Sequence, residues 1–154
     1  MSRLFEQYRP AGWNDVVGQG KAVAILRGML QRDAGGSAVL LEGDPGTGKT
    51  SIAMILAREF TGGGSGSILR MDGKGTSAAG IRTMAEDWRY RSLFGKRAVV
   101  IDEIQDVTGG AEEALLTVLE RIPEDTIVIG TTTASPVTSW ISSITTARLP
   151  NRER

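Results

Sequence analysis

The chain has 154 residues, enough for one domain with a buried core. Its 18 basic and 18 acidic side chains cancel, so no overall field draws it onto nucleic acid or a membrane surface. It has no cysteine, which excludes disulfides and thiolate metal sites, and no histidine, so acid–base chemistry falls to carboxylates. The N-terminal MSRLFEQYRPAGW lacks the apolar core of a signal peptide, and no apolar run approaches membrane-spanning length; the expectation is a cytoplasmic protein away from membranes.

In chain order, Val23, Leu26 and Leu30 share one face of a helix, followed by a buried strand at 38–41. A helix follows the glycine-rich segment after that strand. Residues 62–67, GGGSGS, read as a flexible loop of the kind found both in natural proteins and in engineered linkers. A weaker strand at 68–71 precedes a helix carrying Ala78, Ile81, Ala85 and Trp88 on one face. A third strand at 98–101 leads into the cleanest helical stripe, Ala111, Ala114, Leu115, Val118, Leu119 and Ile122, and a fourth strand lies at 126–129. The first, third and fourth runs are near-continuous Val, Ile and Leu, as in a parallel sheet covered on both faces. The alternation predicts a single α/β domain over 1–154, with a polar segment over 134–154 and ligands at the carboxyl ends of the strands.

Two motifs carry chemistry. Gly43, Gly48, Lys49 and Thr50 satisfy G-x-x-x-x-G-K-[ST] between the first strand and a helix. In such a loop the backbone N–H groups of Gly43, Asp44, Pro45, Gly46, Thr47, Gly48, Lys49, Thr50 and Ser51 (proline excepted) curl around phosphate oxygens, and the helix dipole adds to the attraction. Lys49 reaches the β- and γ-phosphates and the Thr50 hydroxyl ligates Mg²⁺, which makes the ligand a nucleoside triphosphate. The third strand ends AVVIDEIQ, placing Asp102 and Glu103 beyond four apolar residues. Beside a phosphate loop, Asp102 is expected to hold the metal and Glu103 to act as catalytic base.

The segments EQYRPAGWNDVVGQ, EGDPGTGKT, MDGKGTSAAGIR, GKRAVVIDEIQ, AEEALLTVLERIPEDTIVIGTTT and TTAR, in this order, resemble clamp-loader ATPase subunits of the AAA+ class. These include the replication factor C small subunit and the bacterial gamma/tau and phage types, whose members place sliding clamps on primed DNA. The resemblance implies the P-loop three-layer sandwich of that class, with four to five parallel strands, and ATP and Mg²⁺ as ligands. It implies other loader subunits, the sliding clamp and primer-template DNA as partners. It assigns the arm over 1–20, with Tyr8, Arg9, Pro10, Val16 and Val17, to the adenine side. Thr132 takes the sensor position toward the γ-phosphate, with Thr131 and Thr133 as neighbours one residue away in register. Lys74, Ser77 and Arg82 correspond to the loop and helix start that lie along DNA; the basic stretch Arg89, Arg91, Lys96 and Arg97 reads instead as a solvated helix end.

The match departs from the family near the C-terminus. The Ser-Arg-Cys segment that supplies an arginine to a neighbouring subunit is missing; Arg148 is the first substitute and Arg152 the second. RLPNRER, where a fifth strand should follow, is polar and contains Pro150. The helical lid and collar of the family are not in this sequence, so feeble turnover in isolation and dependence on partner chains are expected. The alternatives are another AAA+ enzyme, such as a helicase loader or Holliday-junction motor, and a non-catalytic nucleotide-binding module that joins or inhibits such an oligomer.

Overall fold

In a computed structural model of the protein, residues 9–63, 68–93, 95–133 and 145–148 are described. Five parallel strands form one sheet: β1 (Ser37–Glu42), β2 (Ile68–Asp72), β3 (Arg97–Asp102), β4 (Thr126–Thr132) and β5 (Thr145–Arg148), in the order β2-β3-β4-β1-β5. Four helices accompany them: α1 (Gly20–Gln31), α2 (Lys49–Thr61), α3 (Ala78–Asp87) and α4 (Gly110–Leu119).

Strand pleating sends alternate residues to opposite faces, and here both faces are buried. Val39 and Leu41 of β1, Ala98 and Val100 of β3, and Ile127 and Ile129 of β4 meet Ala22 and Leu26 of α1 and Ile52, Leu56 and Phe60 of α2. Leu40, Val99, Ile101 and Val128 point the other way, onto Ile81 and Met84 of α3 and Ala111, Leu115 and Val118 of α4. Each fully buried Leu or Ile contributes on the order of 1.5–3 kcal/mol. The near-continuous apolar strands and the one-sided helical stripes are two halves of the same arrangement. Trp13 and Val16, around a 3-10 turn at Trp13–Asp15, close the first core from the N-terminal arm.

The expected strands and helices are present, with Ala22 rather than Val23 in the core beside Leu26, and with Ile122 beyond the end of α4 but still packed on the second core. The fifth strand is not where the resemblance placed it. It ends at the first residue of RLPNRER, and Thr145–Arg148 pairs with β1 from Val39↔Thr145 to Glu42↔Arg148. Threonine and alanine supply backbone partners to an edge position without an apolar run, so periodicity does not announce it.

Candidate functional site

β1 delivers the chain to Gly43 and α2 resumes at Lys49. Between them Gly46 and Gly48 take φ of 81° and 87°, the left-handed region open to glycine, and Gly48 is the N-cap of α2. This turn aims the first amides of α2, which lack intrahelical acceptors, into the space above the sheet. Lys49 is buried, and its ammonium donates to the carbonyls of Gly43 (2.8 Å) and Asp44 (2.9 Å). Burial lowers its pKa, opposed by the negative charges of Glu103 and Asp44. The Thr47 hydroxyl donates to the Asp44 carbonyl at 2.9 Å, and Gln19, buried at the start of α1, donates from Nε2 to the Thr47 carbonyl at 3.3 Å. The loop is held in shape by its own side chains and by the arm.

The acidic pair sits across from it. Asp102 ends β3 on the sheet face that carries α2, and its Oδ1 accepts from Thr50 Oγ1 (3.1 Å) and Thr131 Oγ1 (3.3 Å). Its Oδ2 accepts from Arg70 on β2, through Nε at 2.8 Å and a terminal guanidinium nitrogen at 2.7 Å. Glu103 follows with a left-handed backbone (φ 51°), a conformation that costs a non-glycine residue about 1–3 kcal/mol. Its amide donates to Thr131 Oγ1 (3.1 Å), and its Oε2 accepts from Thr133 Oγ1 (3.0 Å) and from Gln105 Nε2. Just before this turn Gly73 passes against the chain, its N–H donating to the Asp102 carbonyl at 2.8 Å.

The loop and Glu103 open onto one cleft of about 800 Å³, lined by Arg9, Pro10, Pro45, Gly46, Gly48, Lys49, Thr50, Ser51, Glu103 and Thr133. The sequence-predicted Lys49, Thr50 and Glu103 thus meet in space, with Asp102 hydrogen-bonded to Thr50. Thr50 Oγ1 and the Asp102 carboxylate are hard oxygen donors side by side. That set suits Mg²⁺, which keeps most of its shell as water and phosphate oxygen. Among the described residues no group of three or more acidic, histidine or cysteine ligands occurs.

Several expectations shift. Thr132 lies outside the cleft: it is fully buried, paired with Glu42, and on the face opposite α2, with its carbonyl accepting from Gly43 N at 3.2 Å. The pleat sends Thr131 and Thr133 toward the carboxylates instead, where their hydroxyls bond Asp102 and Glu103. Of the arm residues, Arg9 and Pro10 line the cleft, whereas Val16 packs on the core and Val17 is exposed; neither lines it. Tyr8 and Arg152 lie outside the described residues. Arg148 occupies the last position of β5, in register with Glu42, rather than a loop after β4. Lys74 and Arg82 are exposed, and Ser77 caps α3 by accepting from Gly80 N at 3.0 Å.

Arg70, Gln105 and Gln19 are contacts that sequence reasoning missed. A lone Arg within the apolar β2 run was the available signal for Arg70. Gln105, two residues past Glu103, carried none.

Comparison with known proteins points to the same fold. A model of the ATPase family associated with various cellular activities (AAA) matches residues 39–149, and one of the TIP49 P-loop domain matches residues 7–68. Replication factor C small subunit 2 of Pyrobaculum arsenaticum is 32% identical over 82% of this chain and 41% of its own length. Replication factor C subunit 3 of Saccharomyces cerevisiae is 34% identical over 79% and 37%. The chain therefore spans about two fifths of the curated relatives it matches. Among solved structures, the RuvB Holliday junction branch migration motor of Thermotoga maritima superposes with a TM-score of 0.69 at 24% identity, covering 92% of this chain and 48% of that one. A DNA polymerase III gamma subunit-related protein from the same organism gives 0.68 at 18% identity, covering 85% and 46%. At these identities the superpositions show the fold alone.

Proposed function

The chain belongs to the AAA family of ATPases, and on that premise we propose that it is an ATP-hydrolysing subunit of a clamp-loader-like assembly that acts on DNA. The observation that carries this reading is the convergence of Lys49 and Thr50 with Asp102 and Glu103 around one cleft. The relatives named as replication factor C subunits select the assembly.

In this reading the glycine loop and the α2 amides hold the triphosphate. Lys49 exchanges its two carbonyl partners for β- and γ-phosphate oxygens. Thr50 and Asp102 would hold Mg²⁺, which would supply charge neutralisation to the triphosphate. Glu103 orients the attacking water and takes its proton; the Thr133 hydroxyl, at the cleft wall, faces the γ-phosphate. Arg9 and Pro10 flank the base of the nucleotide. Lys74, Arg82 and the start of α3, capped by Ser77, hold DNA phosphates without reading bases. Among the described residues no helix is long and apolar enough to cross a membrane.

The test is ATP turnover by the chain together with the subunits that co-purify with it, with and without primed DNA and a sliding clamp. Turnover stimulated by clamp and DNA, and lowered at least a hundredfold by Glu103→Gln with ATP binding retained, is the expected result. Stimulated turnover that survives Glu103→Gln overturns the base assignment. Co-purification with a helicase and no clamp overturns the loader reading.

A further inference from the structure

The Glu103 carboxylate does not hang free in the cleft. Its Oε2 is held from two sides, by the Thr133 hydroxyl at the end of β4 and by the Gln105 amide from the 3-10 turn at Ile104–Asp106. The two holders also touch each other, Gln105 Nε2 lying 3.4 Å from Thr133 Oγ1. The other end of the same amide tells against a purely structural role. Gln105 Oε1 is buried and accepts no hydrogen bond, although a buried acceptor without a donor is destabilising. An apolar side chain of the same length would avoid that cost. What Gln105 contributes in return is a fixed direction for a carboxylate whose backbone is already in the left-handed region.

We propose that Gln105 is a positioning residue for ATP hydrolysis, holding Glu103 Oε2 together with Thr133 so that Oε1 is left to meet the attacking water. The proposal rests on the ATPase reading above. With only Thr133 as partner, the Glu103 side chain samples several rotamers, and a base displaced by about an ångström loses on the order of a hundredfold in rate. Gln105 lies outside the cleft lining, so ATP binding does not depend on it.

The experiment compares Gln105→Leu with the parent protein and with Glu103→Gln, in the assembled complex. Three quantities are read: turnover at saturating ATP, the dissociation constant of a fluorescent ATP analogue, and the thermal midpoint. The expected result for Gln105→Leu is turnover down roughly ten- to a hundredfold, nucleotide affinity within about twofold of the parent, and a midpoint equal or higher, because the unpartnered acceptor is gone. Reduced activity combined with undiminished stability is a pattern that a merely structural residue does not produce. If Glu103→Gln abolishes turnover while Gln105→Leu leaves it within twofold, the positioning role is overturned and the ATPase reading stands. A lower midpoint, or affinity that falls in step with turnover, also overturns it. A parent complex whose turnover does not respond to Glu103→Gln overturns the catalytic reading and the positioning role together.

Discussion

Gly73 offers the sharpest test of how the site is assembled. A Cβ added there would lie 2.1 Å from the Glu103 carbonyl oxygen, 3.0 Å from its carbon and 3.2 Å from the Asp102 carbonyl oxygen. Ordinary contact begins near 3.4 Å, so Gly73→Ala must open the β2–β3 junction by about 1.3 Å, against backbone that cannot swing aside. The opening stretches the hydrogen bond from Gly73 N to the Asp102 carbonyl, worth about 1 kcal/mol, and adds packing strain of about 1–3 kcal/mol. Against this, alanine stiffens the unfolded chain by about 0.4–1 kcal/mol. The net loss is about 1–3.5 kcal/mol, a sizeable share of the 5–15 kcal/mol typical of a domain. Urea denaturation followed by fluorescence measures it, with an unchanged slope and a lower midpoint. Gly75→Ala is the control, since its Cβ meets only the Asp72 carbonyl, at 3.9 Å. A Gly73→Ala loss below about 0.5 kcal/mol, or equal losses at both glycines, refutes the reasoning.

Arg70→Ala removes a cation from the carboxylate that awaits the metal. Because Arg70 is half-exposed, stability changes by less than about 1 kcal/mol. The Mg²⁺ concentration that half-saturates ATP-analogue binding falls several-fold; a value that stays or rises contradicts the competition between Arg70 and the ion. At Asp125, burial pushes the carboxyl pKa up, but hydrogen bonds from Arg97, Thr126 and the Ser92 amide outweigh it and hold the pKa below its ordinary 3.8. Its stabilising contribution is present above that ordinary value and lost as pH falls through the folded one. Denaturation midpoints between pH 6 and pH 2 are therefore expected to fall more steeply in the parent than in Asp125→Asn, and parallel curves count against the pair.

What could be read from the residues followed from local physics. The phosphate loop was legible because its glycines, lysine and threonine are consecutive, and the acids because they end an apolar strand. The three strong strands, β1, β3 and β4, and the helical stripes were legible because burial leaves a continuous or one-sided pattern, whereas β2, exposed at Leu69 and Arg70, gave a weaker one. The Thr131–Thr133 register was not, since three adjacent threonines carry no signal of which way the pleat points, and only the alternation set by Ile127 and Ile129 decides it. Arg70 reaching Asp102 from the neighbouring strand, and Gln105 reaching Thr133 from a turn, are pairings fixed by parallel register over long separations. The fifth strand escaped notice because threonine–alanine edges look like loops.

The strand order also has a consequence for how the protein comes into being. β4 lies between β3 and β1, every one of its residues is buried, and it is the next-to-last strand of the sheet to leave the ribosome. Until Thr126–Thr132 arrives, β1 has no partner on the β4 side, and β2 with β3 can form only a detached pair. Closure from Ser37 to Ile127 requires a long excursion of chain before any stabilising contact is made, which slows folding and leaves apolar edges open in the meantime. The carbonyl of Thr132 that receives the Gly43 amide belongs to this same late strand. A nascent chain that already contains the whole glycine loop therefore lacks, until β4 inserts, the acceptor that the Gly43 amide has in the folded domain.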